Sequence, residues 1–314
     1  MSRFFRVLVG LSAALAFVVV VVGGYVRLSD AGLGCPDWPL CYGHPLPNDI
    51  AAADGLAKAW KEMGHRYLAG TLGLLIFAIA VITIRRRRFT FLGVAIGALV
   101  VLQASLGMWT VTLLLKPAIV TAHLLGGMST LALLTWLFLE QGRYAPAPGV
   151  ASLRLPAALA LAVLAVQIAL GGWVSANYAA LACPDLPGCM GQVVPPMDFR
   201  NAFHIVRDLG RTSEGDLLSL PALTAIHWTH RMFALVAFAV IGVAGIRTVI
   251  QGDLRLVGAA ILCLLLVQVS LGIGNVAFGL PLPLAAAHNA GAALLLASLV
   301  VLNFFVFRRL RPSS

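Results

Sequence analysis

The chain has 314 residues, of which 60% are apolar and only 11% charged, and its mean hydropathy is +0.94. That balance excludes intrinsic disorder and an ordinary soluble domain, and it points to a bilayer as the solvent. A formal net charge of +10 would suit a nucleic-acid partner, but the basic residues gather at one set of helix ends, which argues for topology and against nucleic acid.

In chain order, apolar stretches of about 18 or more residues predict eight membrane-spanning helices, at residues 7–26, 63–84, 89–111, 117–139, 155–176, 221–246, 256–278 and 284–307. The first follows a short Arg-containing start but is long for the apolar region of a cleavable signal, so it is expected to be retained. No Arg-rich, Ser-rich leader precedes it, which favours a bacterial plasma membrane over organelle import. Two longer loops remain, 28–61 and 177–220, with short turns elsewhere. The expected fold is therefore an all-α integral membrane protein, a single membrane domain over 1–314.

Thirteen of the 22 Lys and Arg fall on one side: Arg3, Arg6, Arg85 to Arg88, Arg143, Arg154, Arg247, Arg255, Arg308, Arg309 and Arg311. The excess of positive charge in cytoplasmic loops makes that side the inner one, so both termini are expected inside. Ten of the 12 acidic residues and all seven histidines fall toward the outer face. Any chemistry is expected there.

Internal repetition organises the rest. An offset of 165 aligns Gln103-Ala-Ser-Leu-Gly107 with Gln268-Val-Ser-Leu-Gly272, His65-Arg66 with His230-Arg231, and His123 with His288. Upstream, an offset of 148 aligns Gly23-Gly24 with Gly171-Gly172 and Cys35-Pro-Asp-Trp-Pro-Leu-Cys41 with Cys183-Pro-Asp-Leu-Pro-Gly-Cys189. The second outer loop thus carries an insertion. Each half has an even number of spans, so both copies enter the membrane in the same sense, as two parallel-repeat four-helix bundles, 1–145 and 146–314.

The repeated positions carry candidate chemistry. His65 is expected to open the second helix and His123 to lie about two turns into the fourth, at similar depth. Two histidines on facing helices, repeated as His230 and His288, suit axial ligation of two porphyrin irons; the competing reading is interhelical hydrogen bonding. Zinc is disfavoured, since each bundle offers two histidines and no acidic or Cys partner within the helices. Arg66 and Arg231 follow the ligand candidates and could pair with porphyrin propionates or snorkel to lipid headgroups. Glu62 precedes His65 by one turn, where its counterpart is His227. It is a candidate proton acceptor during oxidation of a bound substrate, or simply a helix-start acid favoured by the dipole. His227 reads as a supporting group or spare ligand.

Cys35 with Cys41, and Cys183 with Cys189, read as disulfides of the oxidising outer face. The first pair, taken as exposed and near Glu62, could instead exchange electrons with a thiol partner. Cys263 is expected to be a small buried apolar residue. His44 and His204 are expected to be solvated, and Arg200, Arg207, Arg211 and Glu214 carry no readable motif.

Taken together, the run from Gly32 to Gly43, the Glu62-x-x-His65-Arg66 motif and the four repeated histidines resemble the haem A synthase family across essentially the whole chain. The resemblance implies oxidation of the C8 methyl of haem O to a formyl group, giving haem A for terminal oxidases. It implies that the first bundle holds haem O through His65 and His123 and the second holds haem b through His230 and His288. It assigns Glu62 as the functional acid and Cys35–Cys41 as the loop disulfide; the second pair is missing from some family members. Candidate partners are membrane lipid, a haem O synthase and a thiol-disulfide or quinone redox partner. Two other classes compete: a di-haem electron-transfer or quinol-oxidising cytochrome, which would not need Glu62, and a transporter, which would need a polar path that the sequence lacks.

Overall fold

Each apolar stretch forms a helix in the computed structural model, which describes residues 2–47, 53–142, 144 and 149–308. The elements are α1 (Arg3–Leu28), α2 (Ala53–Arg85), α3 (Thr90–Thr112), α4 (Pro117–Glu140), α5 (Arg154–Ala176), the single turn α6 (Phe199–Ala202), α7 (Leu220–Ile250), α8 (Arg255–Ala277) and α9 (Leu282–Phe307). Eight of these are long and apolar enough to cross a membrane, and the protein is a multi-pass membrane protein. Helices suit that solvent because each satisfies its backbone groups internally. Their starts are marked locally. Ser2 and Ser219 accept hydrogen bonds from the amides of Phe5 and Ala222, and Pro117, Pro221 and Pro283 occupy first turns, where an N–H has no helical partner.

Two expectations need correction. α2 begins at Ala53 rather than Met63, so Glu62 and His65 lie two to three turns inside it. Lys58 and Lys61 make this part too polar for a hydropathy window. It stays helical because Ala59 and Met63 bury against Cys35 and Cys41 of the loop between α1 and α2. Cys263 is exposed rather than buried. α8 packs mainly on α7 and α9, and only 17% of its spanning window is buried, against 61% for α9. The expected boundary at 145/146, and Arg143, Arg309 and Arg311, lie outside the described residues.

α1 packs on α2 and α4, with α3 against α2 and α4; α5 packs on α7 and α9, with α8 against α7 and α9. A seam of α1, α4, α5 and α9 joins the two sets. One apolar cluster runs through it, including Phe5, Val9, Leu134, Leu164, Ile241 and Leu299. Polar ties across the seam are specific. The Arg27 guanidinium donates to the Ser175 carbonyl at 2.7 Å, and the Asn289 amide donates to the Val20 carbonyl at 3.1 Å. Gly24 lies against that amide, where a β-carbon would collide with it.

Candidate functional site

Four histidines come to matching settings. His65 on α2 packs its ring edge on Gly23 of α1, and His123 on α4 packs on Gly107 of α3. His230 on α7 meets Gly171 of α5, and His288 on α9 meets Gly272 of α8. A β-carbon at these glycines would lie 2.8, 3.4, 3.1 and 3.2 Å from the respective Cε1 atoms. The small residues the sequence repeats are therefore ring cradles. Each imidazole is half-buried.

Their polar atoms are arranged for a ligand. Nδ1 of His65, His123 and His288 is buried with no hydrogen-bond partner. A buried unpaired ring nitrogen costs about 1–3 kcal/mol, so these sites store polarity that the protein alone does not satisfy. Iron in a porphyrin fits such neutral imidazole donors. Zinc does not, because among the described residues no three His, Cys, Asp or Glu converge.

Above each first histidine sits a loop closed by a disulfide, Cys35–Cys41 with S–S 2.00 Å and Cys183–Cys189 with S–S 2.01 Å. Both pairs are fully buried. This corrects the expectation of an exposed first pair; a thiol partner would reach it only after the loop lifts. Gly34 makes the first loop's approach possible. A β-carbon there would lie 2.6 Å from the Lys58 backbone on α2. The close approach sets the Cys35 amide on Glu62 Oε2 at 2.9 Å. In the second loop the Cys183 amide donates to His227 Nδ1 at 3.3 Å. His227, whose role the sequence leaves open, is thus the structural counterpart of Glu62 as a loop anchor.

The arginines also hold these loops. Arg66 donates to Glu62 Oε1 at 2.5 Å and to the carbonyls of Asp37 and Leu40 at 2.9 and 2.7 Å. Arg231 donates to the carbonyls of Asp185 and Pro187 at 3.0 and 3.2 Å, and its Nη1 is buried without a partner. Of the two propionate candidates, Arg66 is committed to the loop and Glu62, whereas Arg231 keeps one arm unpaired. Within the loops, Asp37 accepts from the amides of Tyr42 and Gly43, and Asp185 from those of Met190 and Gly191. Burial works to raise the Asp37 pKa, but the amides of Gly43 and Tyr42 outweigh it and the net shift is downward. Asp185 is lowered chiefly by the Gly191 amide.

Sequence reasoning missed two groups. Arg207, which carries no readable motif in the sequence, is 5% exposed. It reaches Asn177 Oδ1, donates to the carbonyls of His204 and Arg211 at 3.2 and 3.1 Å, and lies over the Trp173 ring, pinning the inserted loop. Gln167 touches His230; a lone Gln in an apolar run was its only signal. His44 and His204 are exposed, as expected.

Fold and site together define a multi-pass membrane protein with four glycine-cradled histidines near two disulfide-closed loops, an arrangement suited to haem. Comparison with known proteins narrows this. The family model COX15-CtaA, cytochrome oxidase assembly protein, matches residues 6–300. A protein of Shewanella oneidensis named heme A synthase is 39% identical, with 98% of each chain covered. Proteins of the same name from Methylobacterium radiotolerans and Shouchella clausii are 29% and 31% identical, covering 88% and 69% of this chain and 83% and 73% of their own. The chain belongs to the COX15-CtaA family.

Proposed function

We propose that this protein is an oxidoreductase that converts haem O to haem A, oxidising the C8 methyl group to a formyl group by successive hydroxylation. The observation that carries this reading is the family match over residues 6–300 in a chain with four half-buried, glycine-cradled histidines. The di-haem electron-transfer alternative explains the histidines but not the Glu62–Arg66–Cys35 unit found in one half alone.

In this reading the N-terminal bundle, 1–145, receives haem O between His65 and His123. The C-terminal bundle, 146–314, keeps haem b on His230 and His288. A haem held there supplies one-electron redox chemistry. The protein's own contribution is positional and acid–base. Glu62 is 4% exposed and stands one turn before His65. Its two oxygens are fixed by the Cys35 amide and the Arg66 guanidinium. A carboxylate held this way can take a proton released near the substrate, and the loop above it excludes water. Arg231, through its unpaired Nη1, is the arginine suited to a propionate. The distribution of charge supports a bacterial inner membrane with both termini inside and the haem sites toward the outer face. Haem O arrives from a haem O synthase, and a quinone or the disulfide form of a thiol-disulfide partner takes the electrons.

The test is chromatographic and mass analysis of haems extracted from membranes expressing this protein with and without a haem O synthase. Haem A, or its hydroxylated precursor, is expected only when both are present. Haem b alone, with haem O unchanged beside folded protein, would replace this reading with the electron-transfer cytochrome.

A further inference from the structure

The two histidine pairs differ in what holds them. In the second half each ring has a glutamine beside it. Gln167 Nε2 on α5 lies 3.2 Å from His230 Nδ1 and donates to the His230 carbonyl at 3.2 Å. Gln268 Nε2 on α8 lies 3.3 Å from His288 Nε2. In the first half neither contact exists among the described residues. The offset that aligns Gly23 with Gly171 places Val19 opposite Gln167. Gln103, the counterpart of Gln268, packs on Gly126 with its Nε2 buried and unpartnered, and Nδ1 of His65 and His123 are likewise unpartnered.

We propose that Gln167 is a positioning residue that fixes the ring and tautomer of His230. Nδ1 of His65, its counterpart in the first half, has no such partner. The proposal rests on the reading of His230 and His288 as ligands of a resident haem b.

A histidine that binds metal through Nε2 carries its proton on Nδ1, and that proton needs an acceptor. Gln167 Oε1 is buried without a partner. Amide oxygen and nitrogen exchange places by a half-turn of the last torsion. That half-turn puts the unpaired oxygen on Nδ1, which then donates to it, and leaves the Nε2 lone pair free. The backbone carbonyl that loses its side-chain donor still accepts within α7. A resident group gains from a ligand held in one orientation, because the ordering cost is met in the folded protein before binding. A substrate that must enter and leave gains from the opposite. The difference between Gln167 and Val19 therefore separates a permanent site from an exchanging one without changing the histidines.

The experiment uses the purified full-length protein carrying Gln167→Leu, Gln167→Glu or His230→Ala, with haem b content per chain and midpoint potential as readouts. Gln167→Leu is expected to weaken haem b retention, on the order of 10–100-fold as for other partners of metal-bound histidines, or to raise the potential of what remains. Gln167→Glu is expected to keep the haem and lower its potential, since a carboxylate on Nδ1–H makes the imidazole a stronger donor. Opposite signs in the two variants are the signature of positioning. Equal potentials at wild-type occupancy, or shifts of the same sign in both, would overturn the proposal. Should Gln167→Leu not fold, Gln167→Met, which keeps the length of the side chain without its amide, carries the same expectation at His230. His230→Ala separates the layers: full haem b content in that variant removes the ligand assignment itself.

Discussion

Glu62 and His227 stand at matching positions, one turn before His65 and His230, and each accepts the amide of the first cysteine in the loop above it. The loop geometry needs only an acceptor there, and both residues supply one. What differs is charge. The carboxylate brings Arg66 onto itself, whereas beside His227 the matching Arg231 turns to the loop carbonyls and leaves Nη1 unpaired. The loop-anchoring role is thus present at both positions, and a carboxylate stands at one alone. An anchor common to both halves is architecture; a feature confined to one marks a separate function.

The comparison breaks most completely at the ligands. His230→Ala should abolish haem b absorbance of the purified protein, and retained absorbance would contradict the assignment of the second half. Next, Glu62→Gln should leave haem b in place and lower haem A formation by roughly 10²–10⁴-fold, the usual worth of a positioned acid–base group, with early hydroxylated product accumulating. The paired change His227→Gln keeps an acceptor for Cys183 and should alter product yield only within a few-fold. A normal yield from Glu62→Gln would erase the asymmetry.

The ring cradles give a subtler contrast. In Gly23→Ala the new β-carbon would lie 2.8 Å from His65 Cε1, so the ring must move, at about 1–3 kcal/mol. Turnover of haem O should fall while haem b content holds. Gly171→Ala, with 3.1 Å to His230, should do the reverse. Extracted-haem ratios and haem b per chain distinguish them, and identical profiles would show that the halves do not divide the work.

Smallest are the loop carboxylates. Asp37 and Asp185 have depressed pKa values in the folded loops. Their contribution is therefore complete above the unfolded value of about 3.9 and is lost as pH falls through the lower folded value. Reduction of both disulfides by an acid-active phosphine should quicken below about pH 4. Asp185→Asn should remove that dependence from the second loop alone, leaving the first as the internal control.

Much of this was legible in advance. The eight spans were readable because lipid demands long apolar runs, and the four histidines stood out because the sequence places them twice at one spacing. The start of α2 was not, since Lys58 and Lys61 hide a helix that continues into the polar layer and is held by burial against a loop. Arg207 carries no readable motif in the sequence; its partners Asn177 and Trp173 sit some thirty residues away at the end of α5, and no local pattern announces that. Gln167 escaped for a related reason. The repeat exposes residues that both halves share, and Gln167 matters because its counterpart is Val19. Cys263 was misjudged because hydropathy reports an apolar setting without saying whether protein or lipid provides it.

That last residue has a practical consequence. With four of the five cysteines locked in loop disulfides, Cys263 is the one free thiol, and it is exposed on α8. The native protein therefore carries a single built-in attachment point for a spin label or fluorophore at a membrane-facing position. A nitroxide there should relax faster with oxygen, which partitions into hydrocarbon, than with a water-soluble nickel chelate. No engineered cysteine-free background is needed to place this helix by depth in a vesicle.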